Sequence, residues 1–366
     1  MIQIDWRIEP ISIHKKRSIV KAALLTGIRS LEIQDIPQPA PAKPNEVVLQ
    51  VDAVGICGSD IHYYRMGRIG PQLVEFPMTL GHECAGTVVY TGDEVKNIRV
   101  GQRVAVDPLI PCGRCDQCLA GRPHTCRDQS FLGCPGQASG ALVERLVLPA
   151  TCCFPLPDSV TMEQAAMVEP LSIGLYAQRL APLVPGATIG ILGAGPIGCC
   201  VLLTCRAFGE HKTYVIDLLD CRLELARACG AGWTGNPNSM NIADAISELE
   251  PSGLDVVFEC AGKQETLDLA PELLKPGGTL LVVGIPEVDR VSFDIHLLRR
   301  KELIIKNVRR QNNCMRPAID LISSGAVNVD RLMTHRFPLT QANTAFGLLE
   351  NYRDGVMKAI VQVSAQ

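Results

Sequence analysis

Apolar and polar positions alternate over short runs in the first part of the chain, and from Lys21 to about Gln50 they predict brief β-strands. The stretch Ile36-Pro37-Gln38-Pro39-Ala40-Pro41-Ala42-Lys43-Pro44 is a loop by composition. Val47-Val48-Leu49-Gln50-Val51 predicts a strand that delivers a turn around Cys57, and Thr87-Val88-Val89-Tyr90 and Arg103-Val104-Ala105-Val106 continue the β character. Thr161-Met162-Glu163-Gln164 has the form of a capping box. It predicts a helix with Val168-Glu169-Pro170 in its last turn, ended or kinked by Pro170.

Beyond this point the pattern changes to strand alternating with helix. Thr188-Ile189-Gly190-Ile191-Leu192 predicts a buried strand, residues 199–208 a helix, and Lys212-Thr213-Tyr214-Val215-Ile216 a second strand. Further strands are expected at Asp255-Val256-Val257-Phe258-Glu259, at Thr279-Leu280-Leu281-Val282-Val283-Gly284 and at Leu303-Ile304-Ile305-Lys306. Such alternation predicts a parallel doubly wound sheet, so the fold class is α/β with a β-rich first part. Residues 180–205 carry no charge and have the length of a membrane span, but prolines and glycines interrupt them. They read as strand, turn and helix start, with no membrane partner.

Composition narrows the class. A chain of 366 residues is too long for one ordinary core, so two domains are expected. A hydrophobic fraction of 47% and 20% charged residues are those of a soluble globular protein. The formal net charge of −3, without a long basic tract, gives no reason to expect nucleic acid as a partner. The segment His14-Lys15-Lys16-Arg17 reads as part of a solvated arm. The polar, charge-broken N-terminus does not have the form of a secretory signal, and a cytoplasmic setting is expected. In that setting 16 cysteines read as metal ligands, reactive thiols or core residues rather than disulfides.

Two groups of residues offer metal chemistry. Gly55-Ile56-Cys57-Gly58-Ser59-Asp60-Ile61-His62 and Gly81-His82-Glu83 supply a thiolate, an imidazole and a carboxylate, the ligand number of a catalytic zinc with one position left open. A lone cysteine ordinarily just packs, so this reading depends on the rest of the chain. Cys112, Cys115, Cys118 and Cys126 are spaced as a closed tetrathiolate zinc site that fixes a loop. An iron–sulfur cluster also uses four thiolates, but the long last gap and the absence of proline after Cys126 weigh against it. Glu169 is a carboxylate among apolar neighbours, where an unpaired charge costs several kcal/mol.

The third motif is Gly193-Ala194-Gly195-Pro196-Ile197-Gly198, with a strand before it, a helix after it, and a second strand ending in Asp217. In that context the glycines permit a tight turn and the approach of a pyrophosphate to the helix N-terminus. Asp217 suits the adenosine ribose hydroxyls and repels a 2′-phosphate, which favours NAD, while Arg222 nearby weakens that preference.

Together these motifs resemble the zinc-dependent medium-chain alcohol dehydrogenases, in particular the sorbitol (L-iditol) and other polyol dehydrogenases. The resemblance covers roughly residues 21–366 and rests on the Cys57 and His82 segments, Gly67-Arg68-Ile69-Gly70, the cysteine cluster, Glu169-Pro170-Leu171-Ser172, the glycine motif and Thr334-His335-Arg336-Phe337-Pro338-Leu339. It implies a GroES-like catalytic zinc domain of residues 1–170 and 310–366, with a Rossmann NAD-binding domain of 171–309 inserted. It implies two zinc ions per chain. One is catalytic, held by Cys57, His82 and Glu83 or Glu169, with the choice between the two glutamates left open. The other is structural, held by Cys112, Cys115, Cys118 and Cys126. Ser59 would take the substrate proton and pass it through the cofactor ribose to His62 and solvent. Gly193, Gly195, Pro196, Ile197, Gly198, Asp217, Arg222, Val283 and Arg309 would contact the cofactor, and Tyr63, Arg309 and Arg310 the substrate.

The implied reaction is hydride transfer from a secondary alcohol of a polyol to NAD+, giving a ketose. Animal sorbitol enzymes generally lack the cysteine lobe and have an aromatic residue where Arg310 stands. Arg310 therefore keeps open a sugar acid, a sugar-alcohol phosphate or threonine as substrate, and equally a position on the cofactor or at the surface. A non-catalytic dinucleotide-binding or structural zinc protein would have lost a ligand or Ser59, and all are present. The other cysteines, including Cys84, Cys152, Cys153, Cys199, Cys200 and Cys260, are assigned to packing. The family suggests a homo-oligomer, a tetramer or else a dimer.

Overall fold

The computed structural model describes residues 19–364, and the His14 to Arg17 tract lies outside the described residues. Two sheets organise the chain. A seven-stranded, mostly antiparallel sheet runs in the order Cys153–Pro155, Arg103–Val106, Glu83–Thr91, Glu46–Gly55, Lys358–Gln362, Met333–Pro338, with Arg145–Pro149 also pairing with Glu46–Gly55. Strands from both ends of the chain thus build one β unit, with alternating burial along Glu46–Gly55 as expected of a strand facing a core.

The second sheet is six-stranded and parallel, ordered Trp233–Gly235, Lys212–Ile216, Thr188–Leu192, Leu254–Glu259, Leu274–Val282, Ile304–Asn307. The strand order reverses between Thr188–Leu192 and Leu254–Glu259, the switch point at which doubly wound sheets bind ligands beyond their carboxyl ends. All five residues of Thr188–Leu192 are buried, which accounts for their unbroken apolar pattern. Residues 180–205 hold this strand and the start of helix Pro196–Ala207. No helix among the described residues is long and apolar enough to cross a membrane.

One predicted boundary is corrected. The Thr161 capping box forms, with the Thr161 hydroxyl accepting from the Gln164 amide, but its helix is only Met162–Ala166. A second helix, Val168–Leu180, follows at once, and Glu169 and Pro170 lie in its first turn rather than in the last turn of the preceding one. Proline is tolerated there because first-turn amides have no intrahelical acceptor. The expected domain junction at residues 170 and 171 falls within this helix. Its Gly174 lets it approach Pro196–Ala207 closely: a Cβ there would come within 2.6 Å of the Cys200 carbonyl carbon. The helix that carries Glu169 is thereby packed against the one that follows the glycine motif.

Candidate active site

Antiparallel pairing of Glu46–Gly55 with Glu83–Thr91 sets Gly55 opposite Glu83. Two residues past the first strand, Cys57 caps the helix Gly58–Met66, and His82 immediately precedes the second strand. One sulfur, one ring nitrogen and one carboxylate oxygen from Cys57, His82 and Glu83 all lie within 4.8 Å of one another. Gly55 is needed here because a Cβ would collide with the Glu83 carboxylate, and Gly81 turns the chain at φ +93. Gly58 is different: a Cβ there would meet no protein atom within 4 Å.

Each ligand is braced. Asp60, fully buried in the first helical turn, accepts from the Cys57 amide at 3.0 Å and the Gly81 amide at 3.2 Å, and its Oδ1 lies 3.5 Å from His82 Nδ1. Such a carboxylate fixes the orientation of a ligating imidazole. Burial alone lowers the His82 pKa, but the charges of Asp60 and Cys57 outweigh it and raise it well above its ordinary value. Lys358 Nζ, also buried, donates to Glu83 Oε1 at 2.8 Å, to Oε2 at 2.7 Å and to the Ile56 carbonyl at 3.0 Å. Both Glu83 oxygens therefore already have a cation beside them. Glu169 lies outside the three-residue cluster, and burial, opposed by His82 and reinforced by Glu83, pushes its pKa up to about 7. It is a carboxyl without a bound cation at the same site.

Ser59 and His62 share the helix with the Cys57 cap, both half-buried. Burial lowers the His62 pKa, so its ring is neutral at pH 7. Tyr63 donates to Gln72 Oε1 at 3.1 Å, with Cys134 Sγ at 3.8 Å from its hydroxyl. Arg310 is not a surface residue: its guanidinium lies over the Phe131 ring, 3.7 Å from the centroid, and Phe131 in turn packs on His82 with ring centroids 5.3 Å apart.

On the parallel sheet, Gly193 follows Leu192 at φ +100 and donates to the Ile216 carbonyl. Asp217 accepts from the Ala194 amide at 2.8 Å and the Leu219 amide at 2.9 Å, so it shapes the glycine turn. Arg222 Nη1 lies 3.7 Å from Asp217 and its guanidinium over the Tyr352 ring at 4.7 Å. A Cβ on Gly195 would meet only Arg222 Nη1, at 3.7 Å, which leaves room over the helix start at Pro196 and Ile197 for a pyrophosphate. Val283 donates to the Glu259 carbonyl at the carboxyl end of the sheet, and Arg309 is exposed.

Cys112, Cys115, Cys118 and Cys126 converge separately, with sulfurs 3.4 to 3.8 Å apart along three edges and no disulfide. Thiolates about 2.3 Å from a tetrahedral zinc stand about 3.8 Å apart, so the cluster fits that ion. His124 ties this lobe to the helix of Glu169 through Tyr176, whose hydroxyl lies 3.1 Å from His124 Nε2.

Asp60, Lys358 and Phe131 were not singled out from sequence. Lys358 had a signal, as the one charge in the apolar run Val356-Met357-Lys358-Ala359-Ile360-Val361. Phe131 had none.

Comparison with known proteins agrees with this geometry. Residues 43–158 match the alcohol dehydrogenase GroES-like domain and residues 196–324 the zinc-binding dehydrogenase domain. The chain is 36% identical over 343 residues to a sorbitol dehydrogenase of Bacillus subtilis, covering 93% of this chain and 97% of that one. It is 35% identical to an L-idonate 5-dehydrogenase of Vitis vinifera, covering 91% and 92% respectively. A solved dehydrogenase of unknown specificity from Escherichia coli superposes with a TM-score of 0.89 at 33% identity, covering 95% of this chain and 100% of that one. The chain belongs to the zinc-dependent medium-chain alcohol dehydrogenases, with a GroES-like domain and a Rossmann domain.

Proposed function

We propose that the chain is an NAD-dependent polyol dehydrogenase, which oxidises a secondary alcohol to a ketone and reduces NAD+. The observation that carries this reading is the convergence of Cys57, His82 and Glu83 within 4.8 Å. The helix carrying Glu169, next to this cluster, packs on the helix of the glycine turn. The Bacillus subtilis relative, named a sorbitol dehydrogenase, supports the substrate class. Cys57, His82 and Glu83 or Glu169 would hold a zinc ion, which would supply Lewis acidity for deprotonating the substrate hydroxyl. Because Lys358 already neutralises Glu83, Glu169 is the carboxylate freer to answer that ion.

The chain's own groups do the rest. Ser59 accepts the hydroxyl proton, and His62, kept neutral by burial, carries it towards solvent. Tyr63, Arg309 and Arg310 contact the substrate. The amides of the glycine turn face the pyrophosphate, and Asp217, with Arg222 beside it, meets the adenosine ribose; Val283 and Arg309 complete the cofactor contacts. Cys112, Cys115, Cys118 and Cys126 hold a second, structural zinc. The division into residues 1–170 with 310–366 and residues 171–309 belongs to this reading, as do a cytoplasmic setting and a homo-oligomer, tetramer or dimer. The outer strand Ile304–Asn307, with exposed Ile304, Ile285 and Ile295 on and near it, suits association between copies.

The test is NADH formation from a panel of neutral polyols with NAD+ and NADP+, before and after zinc chelation. Chelator-sensitive turnover with NAD+ is expected, and a folded, zinc-loaded protein that reduces NAD+ with none of them, nor with their acid or phosphate derivatives, overturns the reading.

A further inference from the structure

The guanidinium of Arg310 offers a hydrogen-bond donor that the protein itself leaves unanswered. Nη1 is buried and has no hydrogen-bond partner among the described residues. Its backbone stands at φ +52, a conformation that costs a non-glycine residue about 1 kcal/mol or more. That conformation is held from both sides. Val308 donates to the Val282 carbonyl, and buried Gln311 donates to Asp107 at 2.7 Å and accepts from the Cys314 amide at 2.8 Å. The result presses the guanidinium flat against Phe131, one aromatic ring away from His82.

The nearby acids do not pair with it. Asp107 is engaged by Gln311 and by the Leu109 amide, and Glu169 faces His82 and Glu83. Burial lowers the Arg310 pKa to about 10, so it remains a cation at neutral pH. A buried guanidinium nitrogen without an acceptor is costly, and that cost is recovered when an anion supplies one.

Resting on the polyol dehydrogenase reading, we propose that Arg310 binds the carboxylate of the substrate, which is a polyhydroxylated monocarboxylate rather than a neutral polyol. A planar carboxylate matches a guanidinium fork fixed on a ring. The chemistry is unchanged: the secondary carbinol loses a hydride to NAD+ and a proton through Ser59, and the carboxylate passes intact into the keto acid. Arg310 is a specificity residue, and touches the substrate at the end away from the reacting carbon.

The experiment compares kcat/KM of the zinc-loaded enzyme with NAD+ for six-carbon alditols, the corresponding aldonates and alditol 1-phosphates, in wild type, Arg310→Gln and Arg310→Lys. A wild-type preference for aldonate of at least about tenfold is expected. Arg310→Gln should lower the aldonate value by about 100-fold, mostly in KM, and bring the aldonate-to-alditol ratio towards one. Arg310→Lys, which keeps the charge and loses the fork, should fall between them and serves if the Gln variant does not fold. An alditol preference unchanged by either substitution, or a preference for the phosphate, overturns the proposal and leaves the polyol reading standing. If none of the three classes is oxidised, the polyol reading fails, and calorimetric titration of the NADH complex with aldonate decides the proposal alone. Binding lost in Arg310→Gln supports it, and no binding to wild type overturns it.

Discussion

The two metal clusters are built in opposite ways. The four cysteines of the lobe lie within residues 112–126, on a partly exposed loop, and their sulfurs close a tetrahedron without help from elsewhere. The cluster of Cys57, His82 and Glu83 is assembled from two paired strands, and its carboxylate is balanced by Lys358, 275 residues further along. Four thiolates saturate zinc and leave nothing for a substrate, whereas Cys57, His82 and one carboxylate, Glu83 or Glu169, would leave a position open. On the proposed reading one cluster would fix a loop and the other would perform chemistry, and the difference would lie in the donors rather than the ion.

Lys358→Met should sharpen this contrast most. It leaves Glu83 buried without its partner, which costs about 3–5 kcal/mol, seen as a lowered denaturation midpoint. In the double variant with Glu83→Gln the loss should be smaller than the sum of the two, because no lone charge remains. Equal and additive losses would break the account of the buried pair.

Asp107 gives a smaller, pH-dependent effect. Burial raises its pKa to about 6, so the folded protein prefers the protonated form. That contribution to stability is fully present below the ordinary aspartate value and is lost as pH rises through about 6. Asp107→Asn should therefore match wild type near pH 4 and exceed it by up to about 3 kcal/mol at pH 7.5, measured by chemical denaturation. A gap that shrinks with rising pH contradicts this.

His62→Ala should have the smallest effect. Solvent can replace an outer relay group, so the loss in kcat is about tenfold, less than the 10²–10⁴ typical of a direct acid or base. Because burial lowers its pKa, the acid limb that His62 contributes to oxidation lies below pH 6.5 and should disappear in the variant.

Much of this was legible in the chain. The cysteine lobe and the glycine turn are local, so their spacing and immediate sequence context were enough to mark them as candidates. Cys57 and His82 were legible as candidates, but the register that joins them is a pairing of distant strands. What no spacing carries is the long-range packing: Lys358 beneath Glu83, Phe131 between His82 and Arg310, and hence the burial of Arg310. The Pro170 boundary was misplaced because a first-turn proline and a helix-ending proline look alike in one sequence.

The most direct test of the division between the clusters is zinc content alongside NADH formation in wild type, Cys57→Ala and Cys115→Ala. Two zinc ions are expected in wild type and one in each variant. Cys57→Ala should stay folded while losing at least about 10³-fold in kcat/KM, because the Lewis acid contributes several kcal/mol. Cys115→Ala should melt at lower temperature and keep its turnover per folded molecule. A Cys57→Ala enzyme that oxidises its substrate at the wild-type rate would contradict the account.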